Sequence, residues 1–212
     1  MTNKKLPLSF YLRSNVLRIA RELPGKFLVT EIGGVKTSGM ITEVEAYEGI
    51  TDRASHAYNH RRTNRTEVMF AQGGTAYVYL CYGIHHLFNV VTNQLNIPHA
   101  ILIRAIEPVE GIATMMERRK KLKLDFTLTA GPGAVSQALG ISTAYTGSSL
   151  LSRSIWLEDR GIKIAPRKII AGPRIGVEYA GEDSMRPYRF YITGNSWVSK
   201  QPNSKHKVLT SR

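Results

Sequence analysis

Over Asn15 to Leu23, apolar residues recur at helical spacing, with Val16, Leu17, Ile19, Ala20 and Leu23 on one side and Pro24-Gly25 as the stop. The pattern predicts a helix laid against a core. Lys26 to Thr30 then reads as a strand. Met40 to Tyr47 is a second extended run, in which alternation places Thr42, Val44 and Ala46 on one face and Ile41, Glu43, Glu45 and Tyr47 on the other. Two carboxylates and a phenol therefore share a strand face.

Gly49 to Arg65 is polar, with Asp52, His56, His60, Arg61, Arg62, Asn64 and Arg65, and its lack of period predicts a loop with at most a short helical turn. Past Gly73-Gly74, two strand-like runs, Thr75 to Tyr82 and Leu87 to Thr92, predict a β-hairpin with Tyr82 to His86 at or near its tip. Ala100 to Ile106 is a further strand, which makes Arg104 conspicuous, and Pro108 is expected to open a helix running through Met115 and Met116. Gly131-Pro132-Gly133 reads as a turn before a short apolar helix ending at Leu139, and Ile155-Trp156-Leu157 and Arg189 to Ile192 as strands. With no repeat and no linker, the expectation is one α+β domain over residues 1–212, ending in a mobile basic tail from about residue 200.

Charge changes the picture most. Lysine and arginine number 29 against 16 aspartate and glutamate, a formal net charge of +13, which points to a polyanionic partner. Five of the six residues from Arg118 to Lys123 are basic, a run that serves equally as a solvated helix end or as a phosphate contact. A single cysteine, Cys81, gives neither a disulfide framework nor a thiol-rich zinc site, which favours the cytoplasm. The six histidines have no metal-ligand spacing, and neither a metal nor a cofactor is expected. No apolar run approaches the ~18 residues of a membrane span, so no membrane partner is expected.

The strand Ile41-Thr42-Glu43-Val44-Glu45-Ala46-Tyr47 and the Asp52-Arg53-Ala54-Ser55-His56 that follows resemble the catalytic segment of the alkyladenine, or 3-methyladenine, DNA glycosylases of the mammalian type. Met69-Phe70 through Gly73-Gly74-Thr75-Ala76-Tyr77-Val78-Tyr79-Leu80-Cys81-Tyr82-Gly83 is similar to that family's second signature. Asn89, Leu102 to Pro108, Gly131-Pro132, Gln137-Ala138-Leu139, Arg174-Ile175-Gly176, Arg189-Phe190-Tyr191 and Trp197-Val198-Ser199 extend the resemblance over most of the chain. It implies a curved, mainly antiparallel sheet with surrounding helices and a protruding hairpin. It also implies a monomer acting on double-stranded DNA that contains damaged purines, in the nucleoid of a bacterium or the nucleus of a eukaryote.

Carried over position by position, the resemblance makes Glu45 the residue that activates water and Arg104 the one that organises that water and a nearby phosphate. Tyr47, His56 and Tyr79 become the walls of a pocket for an everted base, Asn89 a screen against exocyclic amino groups, and Tyr82 the side chain that fills the vacated duplex. The implied reaction is hydrolysis of the N-glycosidic bond of 3-methyladenine and 7-methylguanine, with hypoxanthine left open at this level, as the first step of base excision repair. Taken alone, Glu43 reads as a supporting residue and Tyr77 as packing. Ile84 and His85 depart from the methionine and aromatic residue that some members carry after Tyr82-Gly83, and the segment Asn93 to His99 is longer than a compact member needs. Two other readings stay open at this level: a noncatalytic binder of damaged DNA or structured RNA, and a metal-dependent nuclease.

Overall fold

A computed structural model describes residues 4–199, so the tail expected from about residue 200 lies outside the described residues. Among those residues, nine strands form one sheet in which every pairing is antiparallel. Its spine is β3 (Val35–Tyr47), which pairs along one side with β6 (His99–Glu110). On the other side β3 meets β2 (Phe27–Ile32) over its first half and β9 (Arg189–Ile192) over Glu43 to Glu45. Outward from β2 lie β7 (Ile155–Asp159) and β1 (Lys4–Lys5), and outward from β6 lie β5 (His85–Thr92) and β4 (Ala76–Cys81). β8 (Ile169–Gly172) pairs with β9. The result is the expected α+β fold, a curved antiparallel sheet with helices packed around it.

Local chemistry accounts for the helices. α1 spans Leu8–Tyr11, and α2 (Val16–Glu22) begins where the Asn15 side chain accepts a hydrogen bond from the Arg18 amide at 2.9 Å. Val16, Ile19 and Ala20 of α2 enter the same buried cluster as Leu28, Ile103 and Ile106. α4 (Pro132–Leu139) starts with Pro132 in its first turn, where the missing N–H costs nothing, and stops at Gly140 in the left-handed region at φ 73°. Arg118, at the end of α3 (Ile112–Arg118), donates to the Ala138 carbonyl of α4 at 3.1 Å, and Arg119 bonds the Thr127 carbonyl at 3.3 Å. Part of the basic run therefore braces the fold. No helix among the described residues is long and apolar enough to cross a membrane.

Two sequence expectations are corrected. Pro108 opens no helix: it lies in β6 opposite Gly39, beside a register shift between Ser38 and Gly39, and α3 begins only at Ile112. A bulge tolerates the missing proline donor, so strand and proline are compatible there. Ile41 does not share the face of Glu43 and Glu45. It joins Val44 and Ala46 in the main core, because the β3–β6 register shifts between Ile41 and Glu43 and again between Glu43 and Val44. An extra residue in a ladder reverses which face the neighbours occupy, so a greasy residue can precede two buried glutamates without sharing their side.

Candidate active site

The two register shifts lie where β3 delivers its carboxylates. Glu43 and Glu45 both have 0% exposure, and each needs donors to offset its lost hydration. Arg104 of β6 supplies them to both, with Nε 2.9 Å from Glu43 Oε1 and Nη1 3.1 Å from Glu45 Oε2. Glu43 also accepts from Arg189 Nε at 2.6 Å and from the Ser199 amide at 2.6 Å. It is a brace joining β3, β6, β9 and the segment after β9.

Glu45 has a different set of neighbours. Its Oε2 also accepts from the Tyr47 hydroxyl at 2.9 Å, and its Oε1 accepts from the Ile175 amide at 2.7 Å. A carboxylate offers about four acceptor positions, so the three donors found among the described residues leave one unused. Burial and the adjoining Glu45 charge push the Tyr47 pKa well above its ordinary value, so the phenol stays a donor.

Tyr47, Arg104 and Ile175 also line an open cleft of about 440 Å³, together with His56, Tyr79, Tyr82 and Asn89. Glu45 itself lies just behind that wall. Thus six of the seven residues singled out from sequence border one cleft, and the seventh is hydrogen-bonded to three of its walls. The Asn89 side-chain amide is held by the Tyr77 and Leu87 carbonyls at 3.1 and 3.2 Å, which fixes its orientation in the cleft.

His56 packs edge-on against Tyr79, with ring centroids 4.7 Å apart, and its Nδ1 lies 2.8 Å from the Tyr77 hydroxyl. On the other side Arg65 Nη2 is 3.4 Å from Nε2. An arginine cannot accept, so Nε2 is the acceptor and Nδ1 carries the proton towards Tyr77. Burial, aided by the charges of Arg65 and Arg61, lowers the His56 pKa from 6.5 to about 4. Well above pH 6.5 neither the folded nor the unfolded state holds that proton, and the histidine adds no pH dependence. As the pH falls from there towards about 4 the unfolded state gains a proton that the folded state refuses, and stability drops. The accumulated loss is roughly 3 kcal/mol. His56→Gln is expected to remove most of that acid dependence, as seen by urea unfolding at pH 7, 5.5 and 4.5. Parallel losses in the two proteins would assign the dependence to another group.

Tyr82 stands at the hairpin tip with 92% of its surface exposed. It occupies φ 51° and Gly83 φ 73°, and the Ile84 amide returns to the Cys81 carbonyl at 3.2 Å. Positive φ at both central residues of this turn matches the twist of a hairpin, and Ile84 is a third residue between the paired Cys81 and His85. A bulky residue there carries local strain, which glycine or asparagine would relieve. Of the departures noted in the sequence, Ile84 is exposed at the tip, whereas His85 faces the first turn of α4 at Gly133.

Sequence reasoning missed several contributors. Tyr77, read as packing, bonds His56 as well. Arg174 makes a bidentate pair with Asp52, donates to the Ala46 carbonyl at 2.9 Å and lies 4.8 Å from the Tyr47 ring. Ile175, Gly176, Val177 and Tyr179 close one side of the cleft, and Arg65 another. The run Arg174-Ile175-Gly176 was the available signal for the first of these. Among the described residues, no three histidine, cysteine, aspartate or glutamate side chains gather as a potential metal site.

Comparison with known proteins points the same way as the geometry. The family model for methylpurine-DNA glycosylase matches residues 9–196. A provisionally named 3-methyladenine DNA glycosylase of Chlamydia felis is 48% identical over 188 residues, covering 88% of this chain and 95% of the relative. One from Bacillus cereus, named in the same way, is 46% identical over 205 residues, covering 92% of this chain and 98% of the relative.

Proposed function

This chain belongs to the methylpurine-DNA glycosylase family, and from that premise we propose a monofunctional enzyme that hydrolyses the N-glycosidic bond of 3-methyladenine, 7-methylguanine and hypoxanthine in duplex DNA. The observation that carries this reading is the Glu45 carboxylate, held by three donors with one acceptor position unused, immediately behind the aromatic cleft.

A base stacked in a duplex is out of reach, so the nucleotide rotates into the cleft while Tyr82 fills the gap it leaves. Tyr47 packs on the everted base opposite His56 and Tyr79, and a ring-alkylated purine gains cation–π attraction from the phenols. Asn89 crowds the position where guanine presents its amino group, a penalty that 7-methylguanine shares but offsets through its cationic ring and weakened glycosidic bond. As the bond from C1′ to the base nitrogen breaks, its electron pair leaves with the base and C1′ becomes cationic. Water then bonds to C1′ through oxygen and loses a proton to the free acceptor position of Glu45, whose negative charge has already stabilised the oxocarbenium centre. Arg104 pairs with that carboxylate and aims it. A cationic alkylpurine departs neutral, whereas hypoxanthine departs as an anion or needs a proton.

Among the described residues no lysine lines the cleft, so no side chain there supplies the amine of a Schiff-base lyase. The product is an abasic site in an unbroken strand. The test uses duplex oligonucleotides bearing one 7-methylguanine, a 3-methyladenine analogue or hypoxanthine, with chelator present, resolving free base and strand breaks separately. Free base with an intact strand is expected. Tight, salt-sensitive binding without release from any of the three would support the noncatalytic reading, and chelator-sensitive scission would support the nuclease reading.

A further inference from the structure

Among the described residues, two permanently charged side chains line the cleft, and their circumstances differ. Arg104 is compensated by Glu43 and Glu45. Arg65 has no carboxylate within ion-pair distance among the described residues, although its neighbour Arg62 pairs with Glu67 at 3.0 Å. Arg65 leaves a short braced loop, in which buried Thr66 accepts from the Thr63 amide at 2.8 Å and donates to the Arg61 carbonyl at 2.9 Å. Its guanidinium carbon lies 4.7 Å from the centre of the Tyr79 ring, and its Nη2 3.4 Å from His56. An uncompensated positive charge is thus placed on two of the three walls assigned to the base.

That placement acts differently on the two kinds of damaged purine. A cationic 7-methylguanine meets a like charge close to the aromatic wall, and it competes for the Tyr79 π-electrons with a guanidinium 4.7 Å from the ring centre. A neutral hypoxanthine meets no repulsion. When hypoxanthine leaves, the electron pair of the broken bond puts negative charge on the base, which a nearby guanidinium stabilises.

We propose that Arg65 is a specificity-determining residue, whose unpaired charge shifts the cleft away from cationic alkylated purines and towards neutral deaminated ones. This rests on the base-binding reading of the same cleft. It treats lesion choice as a balance between the cation–π attraction of the tyrosines and the repulsion of Arg65. His56, neutral at physiological pH, adds no charge to either side.

The test measures equilibrium binding in a Glu45→Gln background, so that the lesion survives, to matched duplexes carrying 7-methylguanine, hypoxanthine or no damage. Arg65 is compared with Arg65→Met, which keeps an apolar stem of similar length, and Arg65→Lys, which keeps the charge. Arg65→Met should improve the affinity ratio of 7-methylguanine to hypoxanthine about fivefold or more, with Arg65→Lys close to the parent. Arg65 is exposed and salt screens its charge, so the shift in ratio should be largest at low salt, without an equal weakening on both lesions. Equal weakening on both lesions, with a smaller salt slope, would identify a backbone contact and overturn the proposal. An unchanged ratio with lesion-specific binding intact overturns it too, and leaves the glycosylase reading standing. If the parent failed to prefer either lesion over undamaged duplex, the base-binding reading would fall and this proposal with it.

Discussion

Glu45→Gln is expected to slow release of 7-methylguanine and hypoxanthine by about 10²–10⁴-fold, the usual contribution of a positioned general base. The amide preserves volume but cannot take the proton from water, nor hold negative charge against the developing cation at C1′. It also brings an N–H to a place where every neighbour donates: Arg104 and Tyr47 at Oε2, and the Ile175 amide at Oε1. Tyr47 can turn its hydroxyl to accept, whereas Arg104 and the backbone amide cannot. Some loss of stability is therefore expected, and thermal unfolding with and without damaged duplex separates it from lost chemistry. Glu45→Asp, shorter but still charged, should retain more activity than the isosteric amide. Single-turnover rates settle the matter, and similar rates for the parent and Glu45→Gln would remove this residue from the reaction.

The largest stability effect should follow from breaking the pair between Asp52 and Arg174, whose side chains are both fully buried. Asp52→Asn leaves a buried guanidinium without its counter-charge, at a cost of roughly 3–5 kcal/mol. In a domain of this size that corresponds to a fall of about 10 °C in Tm. Asp52 also accepts from the Ala54 amide at 3.0 Å and the Glu48 amide at 3.2 Å, and so holds the turn that carries His56. Arg174, which bonds the Asp183 carbonyl at 3.1 Å, packs over both Tyr47 and Tyr188. The damage should therefore reach the cleft: weaker retention of lesion duplex should accompany the lower Tm. The double variant Asp52→Asn with Arg174→Met should lose less than the sum of the single changes, since the stranded charge goes with its partner. A single-variant loss below about 1 kcal/mol would show that the pair is not a structural anchor.

These expectations mark where the sequence is readable. Helix α2 and its stop are legible because Asn15, the apolar spacing and Pro24-Gly25 each act within a few residues. The hairpin formed by β4 and β5 is legible for the same reason. Alternation brings Glu45 and Tyr47 together, and they share a hydrogen bond. Alternation fails a few residues earlier, at Ile41, since a bulge inserts a residue without any mark in composition. The Gly33-Gly34 turn that joins β2 to the start of β3 escapes the pattern as well, and β3 begins at Val35 instead of Met40.

Pro108 is misplaced by sequence because a proline just before a helix and a proline at a bulge look alike in one dimension. Within the site, the residues recovered from the motif resemblance all border or touch the cleft. Two of those missed, Arg65 and the Ile175 amide, come from stretches without period. The contact from Ile175 to Glu45 spans 130 positions of chain, and a backbone N–H has no signature in residue identity at all.

The turn at Tyr82 has a consequence for anyone improving this protein by selection. A library screened for heat resistance alone would favour asparagine or glycine at that position, since either sits more comfortably at φ 51°. The survivors would melt later while losing the side chain assigned to probe the duplex. Durability and repair would then be optimised in opposite directions at a single codon, and a screen that reads only survival after heating would count the loss as progress.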